Sequence, residues 1–250
     1  MDQFSRSALL IGREGVEKLG RAKVALFGVG GVGGYVAEAL ARSGVGTMVL
    51  FDPDAVSLTN LNRQIVALHS TLGQPKADAI ARRLRDINPA IKVTAHSLFY
   101  LPENADQADL SSYDYIADAI DTVTAKLNLV ERAYRLNVPI ISAMGAGNRL
   151  DPAQVRVGDI FETKNCPLAR IMRRELRKRG IPALRVAYST EEALALRPEE
   201  AAALQAETPA ANVPRRDTPG SMMFVPAAMG LAMAAAIVRD IVSGLKIKKT

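Results

Sequence analysis

The residues best suited to chemistry lie early in the chain. Gly28-Val29-Gly30-Gly31-Val32-Gly33 follows an apolar run, Lys23 to Phe27, and precedes a helical pattern from Tyr35 to Ser43. Glycines at such a junction let backbone come close to phosphates, and the helix start adds free N–H groups and a positive dipole end. Asp52 closes the next apolar run, Thr47 to Phe51, about 20 residues past the glycines, where a carboxylate accepts hydrogen bonds from ribose hydroxyls. Alone, these features say nucleotide, with a dinucleotide dehydrogenase as the default. The residues that follow break that default. A nicotinamide enzyme needs an apolar slot for its second nucleotide and has no use for Asn60, Arg63 and Lys76 beside the phosphates. A triphosphate does need them, because Arg and Lys balance its charge and Asn orients it. Further strand ends add Asp118 and Asp121, and Asp121 is placed to hold Mg²⁺ through oxygen. There is no Gly-x-x-x-x-Gly-Lys-Ser/Thr loop, which excludes a P-loop ATPase.

Taken in order, GxGGxG, D-x-D-x-V-x-x-T-N-x-N-R-Q, G-x-P-K and A-I-D resemble the ATP-binding core of the ubiquitin-activating-enzyme-like adenylating family. That family includes the adenylating enzymes of thiamine and molybdopterin sulfur transfer. The match runs from about Gln3 to Ala146. The resemblance implies that Gly28, Gly30, Gly31 and Gly33 cradle ATP with Asp52, Asp54, Asn60, Asn62, Arg63, Gln64 and Lys76. It also implies that Asp121 holds magnesium. Arg6, in Phe4-Ser5-Arg6-Ser7, is similar to the family's N-terminal arginine that reaches the triphosphate of the partner subunit in a homodimer. The implied catalytic set is therefore Arg6, Arg63, Lys76 and Asp121. In the shared chemistry a carboxylate attacks the α-phosphate, giving an acyl-adenylate and pyrophosphate, by charge neutralisation and in-line placement.

The second half narrows the carboxylate. The carrier-activating relatives typically carry two CxxC pairs for zinc, whereas Cys166 is the only cysteine here. Gly145-Ala146-Gly147-Asn148-Arg149-Leu150-Asp151-Pro152, the Pro167-Leu168-Ala169 helix start and Gly220 to Pro226 resemble the tRNA threonylcarbamoyladenosine dehydratase subgroup. That resemblance implies activation of the threonyl carboxylate on a modified adenosine of tRNA, then ring closure from within the same side chain with net loss of water. The alternative is adenylation of the C-terminus of a ubiquitin-like sulfur carrier. Independently of any family, Arg170, Arg173, Arg174 and Arg177 fall at i, i+3, i+4 and i+7 of a helical pattern, with Lys178 and Arg179 beside them and one acid, Glu175. Such a stripe suits a phosphate backbone. Cys166, at a helix start among basic neighbours, has the setting of a reactive thiol, but the cyclisation does not require one. His69 and His96 have no partner pattern.

These residues need a scaffold of βα units. Ile91 to Ala95, Tyr113 to Ala117 and Val138 to Ser142 read as further strands, with helices over Lys76 to Ile87 and Leu127 to Leu136. Arg156 to Ile160 and Leu184 to Tyr188 are strand patterns flanking the basic helix. The expected fold is α/β, a Rossmann-like, mostly parallel sheet with helices on both faces and a smaller C-terminal portion carrying a mobile insertion. The expected organisation is a single adenylating domain over 1–250, with an ATP-binding core over 1–146 and a substrate-binding portion over 147–250. Glu191 to Asp217, rich in Ala, Glu and Pro, reads as a mobile loop or lid. Met222 to Val238 is uncharged but interrupted by Pro226 and Gly230, so a buried helix is favoured over membrane contact; the tail Lys246, Lys248, Lys249 is basic. Across 250 residues there are 32 Lys+Arg against 26 Asp+Glu and 48% apolar residues, which excludes a disordered or fibrous protein. A single cysteine excludes an intrachain disulfide framework, and the first residues lack a signal-peptide pattern, so a cytoplasmic setting is expected.

Overall fold

Continuous apolar pentapeptides, rather than alternating ones, build the centre of the molecule, as a sheet buried on both faces requires. The structure is a computed structural model that describes residues 2–207 and 219–243. Its strands are β1 (Lys23–Phe27), β2 (Thr47–Phe51), β3 (Lys92–His96), β4 (Tyr115–Asp118), β5 (Ile140–Ala143), β6 (Val155–Asp159) and β7 (Arg185–Ser189). They form one seven-stranded sheet in the order β3-β2-β1-β4-β5-β7-β6, parallel except for the antiparallel edge strand β6. The sheet is mostly parallel, as expected, with β1 and β2 at the boundaries read in the sequence and the other strands within two residues of them.

Alternate residues of each strand feed two cores. Val24, Leu26, Met48, Leu50 and Ala117 point into one, which is covered by α1 (Ser5–Arg21), α2 (Gly33–Ser43), α3 (Lys76–Ile87) and α7 (Phe224–Ser243). Ala25, Phe27, Val49, Phe51 and Ile116 point into the other, under α4 (Val123–Leu136). The basic helix α5 (Pro167–Lys178) adds a third cluster beside α4 through Ala169, Met172 and Leu176. Phe51 stacks on Phe27 at 4.4 Å and on His96 at 4.9 Å between ring centroids, which gives His96 a packing role.

Helix α7 is long and apolar enough to cross a membrane by length and composition. Yet Val225, Met229, Met233 and Ile237 are buried in the core. It lies so close to α2 that a Cβ at Gly230 would stand 2.5 Å from the Val32 carbonyl oxygen. Two elements differ from the sequence reading. The N-terminal residues form α1, broken at Gly12, where φ is 72°. Within the segment read as a loop, Pro198–Glu207 forms a further helix, α6, while residues 208–217 and the basic tail lie outside the described residues.

Candidate active site

The strand order reverses at β1, with β2 on one side and β4 on the other. In register, Phe27 pairs with both Phe51 and Asp118, so Gly28, Asp52 and Ala119 all leave the same carboxyl edge. Parallel sheets place ligands in the crevice at such a switch point.

The glycine turn is built for close approach. Gly28 has φ +87°, and a Cβ there would fall 2.6 Å from the Ala119 carbonyl oxygen. At Gly30 a Cβ would meet only Gln64 Nε2, at 3.9 Å. At Gly31 its nearest neighbour would be Pro226 of α7, at 3.3 Å. Val29 N–H donates to Asp52 Oδ2 at 2.6 Å, whereas the N–H groups of Gly30, Gly31 and Val32 have no partner among the described residues. Gly33 begins α2, so these free donors sit at a helix N-terminus, a set suited to an anion.

Around that turn the structure assembles most of the expected residues. Asp52 is buried, and its second oxygen accepts the Asp54 N–H at 2.9 Å. Burial pushes its pKa above the usual carboxylate value, against the lowering effect of those two N–H groups and of Lys76. Lys76 Nζ meets Asp54 Oδ2 at 2.7 Å; the lysine side chain is 7% exposed and that of Asp54 62%. Arg63 donates to the Thr59 carbonyl at 2.7 Å, and burial lowers its pKa. Gln64 is buried beside Gly30, and its Oε1 has no hydrogen-bond partner.

Other expected residues make local contacts or stand exposed. Asn60 Oδ1 accepts the Ser57 N–H at 3.1 Å and so closes its own turn. Asn62 Nδ2 donates to the Ser221 carbonyl at 2.7 Å, tying the motif to the chain that enters α7. Arg6 is exposed on α1 and is not among the residues gathered at the glycine turn. Asp121 is exposed, and its contact is with Thr122 Oγ1 at 3.4 Å. Asp118, by contrast, is fully buried and paired with Lys126 at 2.9 Å. No group of three His, Cys, Asp or Glu suited to a metal occurs among the described residues. Magnesium at a phosphate site takes one or two carboxylates, with phosphate oxygens and water completing the shell, so a lone accessible Asp121 fits it.

The basic helix begins at the same edge. Cys166 caps α5, its Sγ accepting the Ala169 N–H at 3.5 Å, and a Cβ at Gly145 would lie 3.6 Å from that sulfur. The thiol is buried, unlike a reactive cysteine. The stripe divides. Arg173 donates inward to the Thr163 carbonyl at 2.9 Å. Arg174, Lys178 and Arg179 surround Glu175 at 3.1, 3.1 and 2.9 Å, and Arg179 also reaches Glu131. Hydrogen bonds from Arg179 and Lys178 hold the Glu175 carboxyl down at about 2. Arg170 and Arg177 remain exposed without a carboxylate partner among the described residues, Arg177 lying over the Phe161 ring at 5.0 Å.

Two organising residues were missed in the sequence. Arg149 is buried and donates to the carbonyls of Gly145, Gly147, Asn165 and Glu191 at 3.1, 2.9, 2.7 and 3.1 Å. It thereby ties the turn after β5 to the start of α5 and to the segment entering α6. Lys126 had a signal: it shares the buried face of α4 with Leu129, Val130 and Ala133.

Comparison with known proteins agrees with this architecture. The tRNA threonylcarbamoyladenosine dehydratase of Bacillus subtilis is 42% identical over 253 residues, covering 100% of this chain and 98% of that one. The crystal structure of Escherichia coli tRNA N6-threonylcarbamoyladenosine dehydratase in complex with ATP superposes with a TM-score of 0.84 at 32% identity, covering 97% and 94% of the two chains. A sulfur carrier protein adenylyltransferase of Thermus thermophilus is 34% identical over 143 residues, 56% of this chain and 52% of that one. A model of the ThiF family matches residues 4–249, and the chain belongs to that family.

Proposed function

We propose that this protein is an ATP-dependent dehydratase that activates the threonyl carboxylate of threonylcarbamoyladenosine in tRNA and promotes its cyclisation. The observation that carries this reading is the extent of the likeness. Similarity to dehydratases runs through the whole chain, whereas similarity to the sulfur-carrier enzyme covers 56% of it. In this reading 1–146 serves ATP and 147–250 serves the RNA.

The free N–H groups of Gly30, Gly31 and Val32 receive phosphate oxygens, Asp52 accepts from the ribose, and Arg63 and Lys76 neutralise the triphosphate. Asn60 orients it through its side-chain amide nitrogen, and the unpaired Gln64 Oε1 accepts from an O–H or N–H group of the nucleotide. Asp121 holds Mg²⁺, which supplies charge neutralisation at the phosphates. A carboxylate oxygen attacks the α-phosphorus and pyrophosphate leaves. A nucleophile in the same modified side chain then attacks the activated carbonyl carbon. It loses a proton, the C–O bond to AMP breaks, and the oxygen departs with AMP. The nucleoside is left short of one water.

Arg6 acts across a homodimer. It stands exposed on α1 beside Leu9 and Leu10, which are 85% and 87% exposed, an apolar patch that suits a subunit contact. The exposed cations of α5 receive the tRNA backbone, and a cytoplasmic setting follows from that substrate. Pyrophosphate release tests the reading. It should rise on adding tRNA that bears threonylcarbamoyladenosine, and a rise only with a carrier ending in Gly-Gly would replace the reading with the sulfur-carrier one.

A further inference from the structure

A buried ion pair underlies the turn that carries Asp121. Asp118 ends β4 and Lys126 lies in α4; both side chains are 0% exposed, with Nζ 2.9 Å from Asp118 Oδ2. Ser142, the register partner of Asp118 on β5, donates its hydroxyl to the same oxygen at 2.5 Å. The other contacts converge on one residue. Asp118 Oδ1 accepts the Ile120 N–H at 3.1 Å, and Lys126 Nζ donates to the Ile120 carbonyl at 2.9 Å. Both main-chain polar groups of Ile120 are therefore held, and its carbonyl belongs to the peptide bond leading into Asp121. Ala119, just before, donates to the Phe27 carbonyl at 2.8 Å and packs against Gly28.

Stability alone is a weak reason for two charges there. Burying an ion pair is costly, and apolar residues of similar volume are often as stable or more so. A fixed turn is a better reason. We propose that Lys126 and Asp118, braced by Ser142, are positioning residues: they preset the Ile120–Asp121 peptide so that the Asp121 carboxylate needs no rearrangement to meet Mg²⁺ at the phosphates. This rests on the reading of Asp121 given above.

The test uses the full chain with an ATP analogue carrying a methylene between the α- and β-phosphates, which blocks adenylation, and Mn²⁺ binding followed by its paramagnetic resonance signal. Asp118→Asn/Lys126→Met should fold, yet bind Mn²⁺ roughly tenfold or more weakly, as loss of outer-shell support does. With ATP itself, kcat should fall while KM for tRNA holds. A folded double variant with wild-type Mn²⁺ affinity overturns the proposal. Should the double variant not fold, Ser142→Ala decides, with several-fold weaker Mn²⁺ supporting the clamp and unchanged affinity overturning it. Asp121→Asn separates the two layers. If it weakens Mn²⁺ while the clamp variants do not, only the clamp fails; if it leaves Mn²⁺ unchanged, the reading of Asp121 fails and the clamp with it.

Discussion

Lys76 reaches the glycine-turn region already paired: its ammonium lies 2.7 Å from Asp54, buried itself while the aspartate side chain is 62% exposed. In the proposed site a phosphate would take the place of Asp54 as the partner of this ammonium. Lys76→Ala should therefore lose a charge-assisted contact of about 2–3 kcal/mol, roughly 30- to 150-fold in kcat/KM for ATP, measured by pyrophosphate release. A Lys76→Ala protein within a few-fold of wild type would remove lysine from the ATP site.

Asp52 gives the site a pH limit. Burial raises its pKa above 3.8, so on acidification it protonates before a free aspartate would and loses acceptor capacity. The apparent affinity for ATP should fall below that raised value, and Asp52→Asn should abolish this acid limb. The stability sign is opposite. Between the two pKa values the folded state binds more protons than the unfolded one, so this group stabilises the fold as pH falls through that window. ATP titrations and melting curves over the same pH series check both signs.

The charges of α5 are unequal. Arg170→Ala and Arg177→Ala should each weaken tRNA binding and lower the slope of log K against log salt by about 1. Glu175 holds three cations with its carboxyl at about 2, so it remains ionised until the pH falls toward that value. Glu175→Gln removes the carboxylate charge shared by Arg174, Lys178 and Arg179, leaving Arg179 its contact with Glu131, and should tighten tRNA binding at low salt. Weaker binding by that variant would show that the paired arrangement, not free charge, is what the RNA contacts.

Helix α7 supports the glycine turn from behind. Besides its approach to Val32, a Cβ at Gly230 would stand 2.8 Å from Tyr35 Cβ. Gly230→Val should cost about 1–3 kcal/mol through overpacking, at roughly 2–4 °C of Tm per kcal/mol for a chain of this size. Because Val32 leads into α2, ATP affinity should fall in the same variant. Calorimetry with and without ATP separates the two effects.

The sheet was legible because its central strands are short, nearly continuous apolar runs, ended in β1, β2 and β4 by Gly28, Asp52 and Asp118. The glycine turn, Asp52 and Lys76 were legible because their spacing is local. Helix α1 was not, since its glycines at 12, 15 and 20 interrupt the apolar pattern. Helix α6 was hidden for another reason: it has little large apolar content, and Pro198 at its start, two acids in its first turn and several alanines favour it instead. The clamp on Ile120 could not be read, because Asp118, Lys126 and Ser142 meet only once β4, α4 and β5 are packed together. Within the basic stripe the pairing with Glu175 is local, but the inward turn of Arg173 to Thr163 and the reach of Arg179 to Glu131 depend on other elements and were invisible.

The central claim is tested most directly by the mass of one nucleoside. The protein is incubated with Mg-ATP and tRNA bearing threonylcarbamoyladenosine, the RNA is digested, and the nucleosides are weighed. The account predicts that threonylcarbamoyladenosine loses one water in an ATP-dependent manner. An unchanged nucleoside mass, with pyrophosphate released only when a carrier ending in Gly-Gly is added, would contradict it.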